Sequence, residues 1–334
     1  MKLSEIGEVG LIGWLREELK GSQRRAIVGM GDDAAAIEIS LERLLLLTTD
    51  SLVEDVHFKW KYLSPYYVGW KALAVNISDI AAMGGRPTYC VVSLCLSPDE
   101  NVSLIRDLYR GLMEVASLHN VGIIGGNITR SSTFVITIAL LGEIKRENIL
   151  LRSGAKIGDL IYVTGELGTS EAGLVCLDRA NLKLSREVRQ FLINKHLMPS
   201  VRLKEGQKIA QEKVATAMID LSDGLASDLF RLAEESKVGA VIYEEKIPIS
   251  RFVKDLAREL GKSPLEWALY GGEDYELLFT IPPDKKKVVE KLDFPSTLIG
   301  EVVDRREGVS LMKTCDKRIK LKDKGYDHLS RCII

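Results

Sequence analysis

The 334-residue sequence predicts two domains of the α/β (α+β) class. Apolar runs with strand character alternate with helical stretches along both halves, a pattern that builds cores from both element types. A charged, turn-rich stretch, KRENILLRSGAKIGD (145–159), breaks that alternation and sets the expected division into residues 1–145 and 146–334. Each half is long enough to bury a core of its own.

Taken in order, Leu3, Ile6, Leu11, Leu15 and Leu19 fit one amphipathic helix or two short ones. AIVGM (26–30), AAIEI (35–39) and RLLLLTT (43–49) read as strands, the second by strict alternation. Ser64-Pro65 opens a helix, with Ser as N-cap and Pro at the first helical position, and Gly84-Gly85 ends it after Met83. TYCVVSLCL (88–96) is a strand, residues 99–118 a helix, VGIIGG (121–126) a strand ending in flexible glycines, and FVITIALLGEI (134–144) a strand. Beyond the boundary come a strand at 159–165 and helices near 170–180, 186–197 and 200–212. ATAMIDLS (215–222) is a strand, DGLASDLFRLAEES (223–236) a helix, and GAVIYEE (239–245) and YELLFTI (275–281) are strands.

The 46 Lys+Arg nearly balance the 47 Asp+Glu, so neither nucleic acid nor a membrane surface is expected as a partner. No apolar run approaches the length of a membrane span, and the acids in MKLSEIGEVGLIGWLREELK read against a signal peptide. The five cysteines are scattered and lack CxxC spacing, which favours a reducing, cytoplasmic setting over a disulfide or zinc framework.

Charge is not mixed everywhere. Four segments hold acids and no Lys or Arg: 44–58 with Asp50, Glu54 and Asp55; 72–85 with Asp79; 214–230 with Asp220, Asp223 and Asp228; and 264–280 with Glu266, Glu273, Asp274 and Glu276. A buried carboxylate without a partner costs several kcal/mol, so such groups are paired or bind metal. Oxygen donors with almost no His or Cys nearby suit a hard cation, Mg²⁺ before Zn²⁺. Within these segments, alternation sets Thr48 and Asp50 on one strand face. Asp220 closes an apolar strand before Ser222, and Asp223 stands at a helix start whose N–H groups suit a phosphate. Asp79 sits near a helix C-terminus, where the dipole disfavours a carboxylate.

Other motifs are weaker. Gly29-Met30-Gly31-Asp32-Asp33-Ala34 matches GxGxxA, but a strand pattern follows it and two acids would repel a pyrophosphate. No GxxxxGK[ST] occurs, which excludes a P-loop. GGNITR (125–130) reads as an anion-binding loop with Arg130 as cation, and Arg152 is a second phosphate candidate. His57 stands alone beside the first acidic segment.

In order along the chain, EIGEVGLI (5–12), VGMGDDAAAI (28–37), TTDSLVEDVHF (48–58), GWKALAVNISDIAAMGGRP (69–87), IIGGNITRS (123–131), LRSGAKIGDLIYVTG (151–165), MIDLSDGLASDL (218–229), GGEDYELLFT (271–280) and GYDH (325–328) resemble the thiamine-monophosphate kinase family, within the ATP-binding superfamily of aminoimidazole ribonucleotide synthetase. The resemblance implies an aminoimidazole ribonucleotide synthetase-like fold whose N-terminal domain pairs across a homodimer. It implies ATP-dependent phosphorylation of thiamine monophosphate to thiamine diphosphate, with several Mg²⁺ ions and no catalytic side chain. The implied metal ligands are Asp33, Thr48, Thr49, Asp50, Asp79, Asn127, Asp220 and Asp223. ATP would meet Tyr109, Gly126, Asn127, Arg152 and Ser222, and thiamine monophosphate would meet His57, Glu273 and Tyr326. The chain departs from the family at Asn127, where an Asp is usual. A selenophosphate synthetase would need a reactive Cys near the N-terminus, and the first here is Cys90. A hydrogenase-maturation enzyme would need a terminal Cys, whereas Cys332 precedes Ile333-Ile334. An amidine-forming ligase and a nucleotide- or metal-binding protein without turnover are the remaining alternatives.

Overall fold

The computed structural model describes residues 3–18, 26–29, 31–179 and 181–324. Two sheets organise them. The first half contains α1 (Leu3–Glu18), β1 (Ala26–Val28), β2 (Ala35–Glu38), β3 (Arg43–Val53), α2 (Pro65–Ala82), β4 (Arg86–Leu96), α3 (Val102–His119), β5 (Gly122–Arg130) and β6 (Val135–Lys145). Its sheet runs β1-β2-β3-β6-β4-β5. All neighbours are antiparallel except β4 and β5, which α3 links in a crossover. The α1 region is two helical pieces, since Gly7 breaks the helix at φ 66.

In the second half lie β7 (Leu160–Thr164), α4 (Thr169–Asp178), α5 (Arg186–Leu197), α6 (Leu203–Gln211), β8 (Ala217–Asp220), α7 (Leu225–Ser236), β9 (Gly239–Tyr243), α8 (Arg251–Glu259), α9 (Pro264–Tyr270), β10 (Leu277–Ile281), α10 (Lys286–Val289), β11 (Ser296–Val303), β12 (Val309–Met312) and β13 (Arg318–Lys320). This sheet runs β13-β12-β9-β11-β7-β10-β8, with β12 and β9 its parallel pair. Antiparallel pairing thus dominates both sheets, which selects the α+β side of the predicted class.

Helix α2 joins the halves. It is buried nearly all round, as its continuous apolar sequence requires, and packs against α3, β3 and β6 on one side and α5, α6 and β8 on the other. Pro65 starts it and Met83 caps it, although the Ser64 hydroxyl makes no cap hydrogen bond. Leu44, Leu46, Leu73, Ile77, Ile80 and Ile138 build the first core, and Ile161, Ile219, Leu229, Ile242 and Leu278 the second.

One local expectation is corrected. GGNITR is extended strand, paired in parallel with β4 through Gly126↔Val92 and Asn127↔Ser93, and is no loop. The glycines serve close approach: a Cβ on Gly126 would lie 1.8 Å from the Val92 carbonyl oxygen. Among the described residues no helix is long and apolar enough to cross a membrane.

Candidate metal and phosphate site

A cavity of about 1880 Å³ opens where the two sheets meet across α2. Strand β3 presents Thr48 and Asp50 to it from the same face, α2 presents Asp79, and the end of β8 presents Asp220. Asp33, Thr49, His57, Arg152, Ser222, Asp223 and Glu273 complete the set of sequence-predicted residues that line it. Tyr109, Gly126 and Asn127 do not. Tyr109 packs against the first core from α3, and Asn127 lies exposed on β5 with its amide donating to the Thr129 hydroxyl at 3.0 Å. Tyr326 lies outside the described residues.

At the floor of the cavity, carboxylate oxygens of Asp33, Asp79 and Asp220 lie within 4.8 Å of one another. The hydroxyl of Thr48 donates to Asp79 at 2.5 Å, and that of Ser78 donates to Asp220 at 2.6 Å. Arg152 donates to Asp33 Oδ1 at 2.6 Å, which leaves the buried Asp33 Oδ2 without a hydrogen-bond partner. Arg152, which pairs with Asp33, also acts on Asp220 through its charge, but too weakly to offset burial and the neighbouring acids. Burial, then repulsion from Asp50, Asp220 and Asp33, pushes Asp79 well above the usual carboxylate range. Burial, then Asp33, does the same to Asp220. Asp50 is raised by desolvation in the cleft, against a lowering hydrogen bond to Asp79. Three converging carboxylates, one of them with an orphaned buried oxygen, fit a hard divalent cation.

The remaining acids are satisfied by the protein. Arg231 reaches Asp223 at 2.5 Å and Asp228 at 2.8 Å. Asp274 accepts from the Gly168 and Ser170 amides at the start of α4, a helix-capping role. Arg202 grips Glu276 through two nitrogens at 2.5 and 2.6 Å, and the buried Lys71 grips Glu273 at 3.0 and 3.1 Å. Glu54 accepts from the Phe134 amide at 3.2 Å. The expectation that all four acid-only segments mark metal is therefore corrected for 264–280, where Lys71, Arg202 and backbone amides from distant parts of the chain hold Glu273, Glu276 and Asp274.

Lys71, His196, Arg202, Arg231 and Tyr275 are the site-building residues the sequence reading missed. For Lys71 a signal existed: Lys71, Val75 and Asp79 recur every four residues, so they share one face of α2, and a lysine there points at the site. Arg231 carried one too, three residues after Asp228 on the same helix, whereas Arg202 carried none.

Residues 31–144 match the family model for the AIR synthase related protein, N-terminal domain, and residues 156–313 match its C-terminal domain. The chain is similar to thiamine-monophosphate kinase of Aquifex aeolicus, 40% identical over 98% of this chain and 100% of that one. It is 40% identical to the Bacillus subtilis enzyme over 90% of this chain and 93% of that one. Among solved structures, one described as AaThiL complexed with AMPPCP and TMP superposes with a TM-score of 0.86 at 38% identity, covering 98% of this chain and 99% of that chain. A HypE–HypF complex also superposes, with a TM-score of 0.69 over 92% of this chain and 99% of that chain, but at 19% identity it shares the fold alone. With a paired set of domain models and that identity along nearly its whole length, the chain belongs to the thiamine-monophosphate kinase family.

Proposed function

We propose that the protein transfers the γ-phosphoryl group of ATP to thiamine monophosphate, giving thiamine diphosphate and ADP. The observation that carries this reading is the Asp33–Asp79–Asp220 cluster under Arg152, an acidic floor beside a guanidinium in one cavity. A relative bound to AMPPCP and TMP supports the choice of both substrates.

Several Mg²⁺ ions would be held by Asp33, Thr48, Thr49, Asp50, Asp79, Asp220 and, once it gives up Arg231, Asp223, with the Asn127 amide oxygen as a neutral donor. When bound they neutralise and template the phosphates. Arg152, released from Asp33, becomes a bidentate phosphate ligand beside Ser222. Glycine at 224 starts α7 without a side-chain cap, leaving that helix end to act on phosphate oxygens. The acceptor is a phosphate oxygen, already anionic near neutral pH, so the site needs no general base. Positioning and charge neutralisation carry a direct transfer, which accounts for a cavity rich in carboxylates without an activated nucleophile.

His57, Glu273 and Tyr326 take the thiamine moiety in this reading. Tyr109, Gly126 and Asn127 act in a homodimer: among the described residues β5 pairs only with β4, and Ile124 and Ile128 on it are 63% and 76% exposed. An open apolar edge of that kind is satisfied by a strand from a second copy. Residues 1–145 then form the nucleotide, metal and dimer domain, and residues 146–334 complete the nucleotide and substrate site of a cytoplasmic enzyme. Incubation with ATP, Mg²⁺ and thiamine monophosphate should yield equal amounts of ADP and thiamine diphosphate. ADP without the diphosphate, or neither product, would overturn the reading.

A further inference from the structure

Glu273, His196 and Ser170 in the cavity wall and Lys71 behind them form a polar network that phosphate chemistry does not use. Lys71 on α2 is wholly buried, and its ammonium donates to both Glu273 oxygens, at 3.0 and 3.1 Å. His196 Nδ1 stands 3.4 Å from Glu273 Oε2 and 3.0 Å from the Ser170 hydroxyl. Lys71 is not on the cavity wall, whereas Glu273 is, with 28% of its side chain open to it. The lysine thus grips the carboxylate from behind and leaves its remaining lone pairs facing the cavity.

The backbone supports this placement. Glu273 and Tyr275 adopt φ 65 and φ 50, values uncommon outside glycine. Hydrogen bonds from the Glu273 amide to Ser222 O (2.8 Å) and from the Tyr275 amide to Leu221 O (2.9 Å) hold them there. Gly272 permits that approach, since a Cβ would lie 2.5 Å from Ser222 O. Strained residues over-determined in this way mark functional positions. Burial alone would raise the Glu273 carboxyl, but Lys71 and then His196 bring it below its ordinary value. An ionised carboxylate only accepts hydrogen bonds. The Lys71–Glu273 pair is neutral overall, so the feature it offers a ligand is an acceptor rather than a net charge.

We infer that Lys71 is a positioning residue that fixes Glu273, beside His196, as an acceptor for an N–H donor on a heteroaromatic ring. The inference rests on Glu273 meeting thiamine monophosphate and assigns it the exocyclic amine of the aminopyrimidine. An analogue with a ring carbonyl at that position would set oxygen against carboxylate. Sites built around a buried hydrogen bond discriminate strongly against ligands that cannot complete it.

The test compares thiamine monophosphate with its 4-oxo analogue in wild type, Lys71→Met, Glu273→Gln and the double variant. Wild type should prefer the amino substrate by about a hundredfold in kcat/KM. Lys71→Met should cut that preference at least about tenfold, mainly through KM for thiamine monophosphate, with KM for ATP moving less than about twofold. The double variant should be no worse than Glu273→Gln, because both changes act on one contact. Should Lys71→Met fail to fold, Glu273→Gln decides alone, as its amide both donates and accepts and must erode the preference. An active wild type without preference, or a Glu273→Gln or folded Lys71→Met enzyme that keeps it, overturns this inference and leaves the kinase reading standing. A wild type that phosphorylates neither compound overturns the kinase reading itself.

Discussion

Two acidic groups in this molecule look alike in sequence and differ in the fold. Asp33, Asp79 and Asp220 converge at the cavity floor with one guanidinium among them, while Glu273, Asp274 and Glu276 lie within one short loop and each has a protein partner. A run of acids without Lys or Arg nearby in sequence therefore says nothing by itself about metal. What distinguishes a cation site is an electrostatic deficit that remains after the chain has folded.

Neutralising an acid should therefore have opposite consequences in the two groups. Asp79→Asn and Asp220→Asn should each lower kcat by about a thousandfold or more, since in the proposed reaction each removes a charge that would hold the phosphate-bound cation. In EDTA both variants should melt at or above the wild-type temperature, because the change relieves repulsion. Either variant turning over near the wild-type rate would break the comparison. On the other side, Arg202→Met leaves Glu276 buried and unpaired and should destabilise the protein by about 3 kcal/mol, read from urea unfolding in EDTA. A change within about 0.5 kcal/mol would show that water reaches Glu276.

The same contrast sets the sign of the pH dependence. Asp79 and Asp220 have raised carboxyl pKa values in the folded state, so the folded protein holds their protons where the unfolded chain has lost them. Their contribution to stability is complete below the unfolded value of 3.8 and is lost as pH rises toward the folded value. The Glu273 group runs the other way. Its carboxyl is lowered and His196 is pushed down to about 4, by burial and then by Lys71, so both contributions fade on acidification. Metal-free Asp79→Asn should lose part of the alkaline decline and keep the acid one, as urea midpoints across pH 4–8 would report. An unchanged alkaline limb would contradict the assigned repulsion.

Much of the cavity floor was legible in the sequence because it depends on local pattern. Alternation put Thr48 and Asp50 together on β3, and Asp220 stood out at the end of an apolar strand. Long-range compensation was not legible. Lys71 and Glu273 are 202 positions apart and Arg202 and Glu276 are 74 apart, and local spacing carries no trace of either pair. GGNITR was misjudged because glycines punctuate loops in general, whereas here they let β5 lie close to β4. Helix α8 was passed over although Ser250 caps it, accepting from the Val253 amide, a start signal that was open to reading.

The smallest expected effect sharpens the edge of the site. Asn127→Asp adds a charge at a position where the family usually has one, and ligand charge raises affinity for hard cations. The Mg²⁺ concentration for half-maximal activity should fall by a few-fold at fixed ATP. Superimposable titrations would leave Asn127 only its contact with Thr129.

The most direct measurement of the deficit is the melting temperature of the metal-free protein as Mg²⁺ is added, in wild type, Asp220→Asn and Glu276→Gln. A cation bound by the folded state alone stabilises it by mass action. Wild type should gain several degrees at saturation, Glu276→Gln should start lower yet gain as much, and Asp220→Asn should start level or higher and gain little. Equal gains in wild type and Asp220→Asn, or no gain in wild type, would contradict a cation site built on Asp33, Asp79 and Asp220.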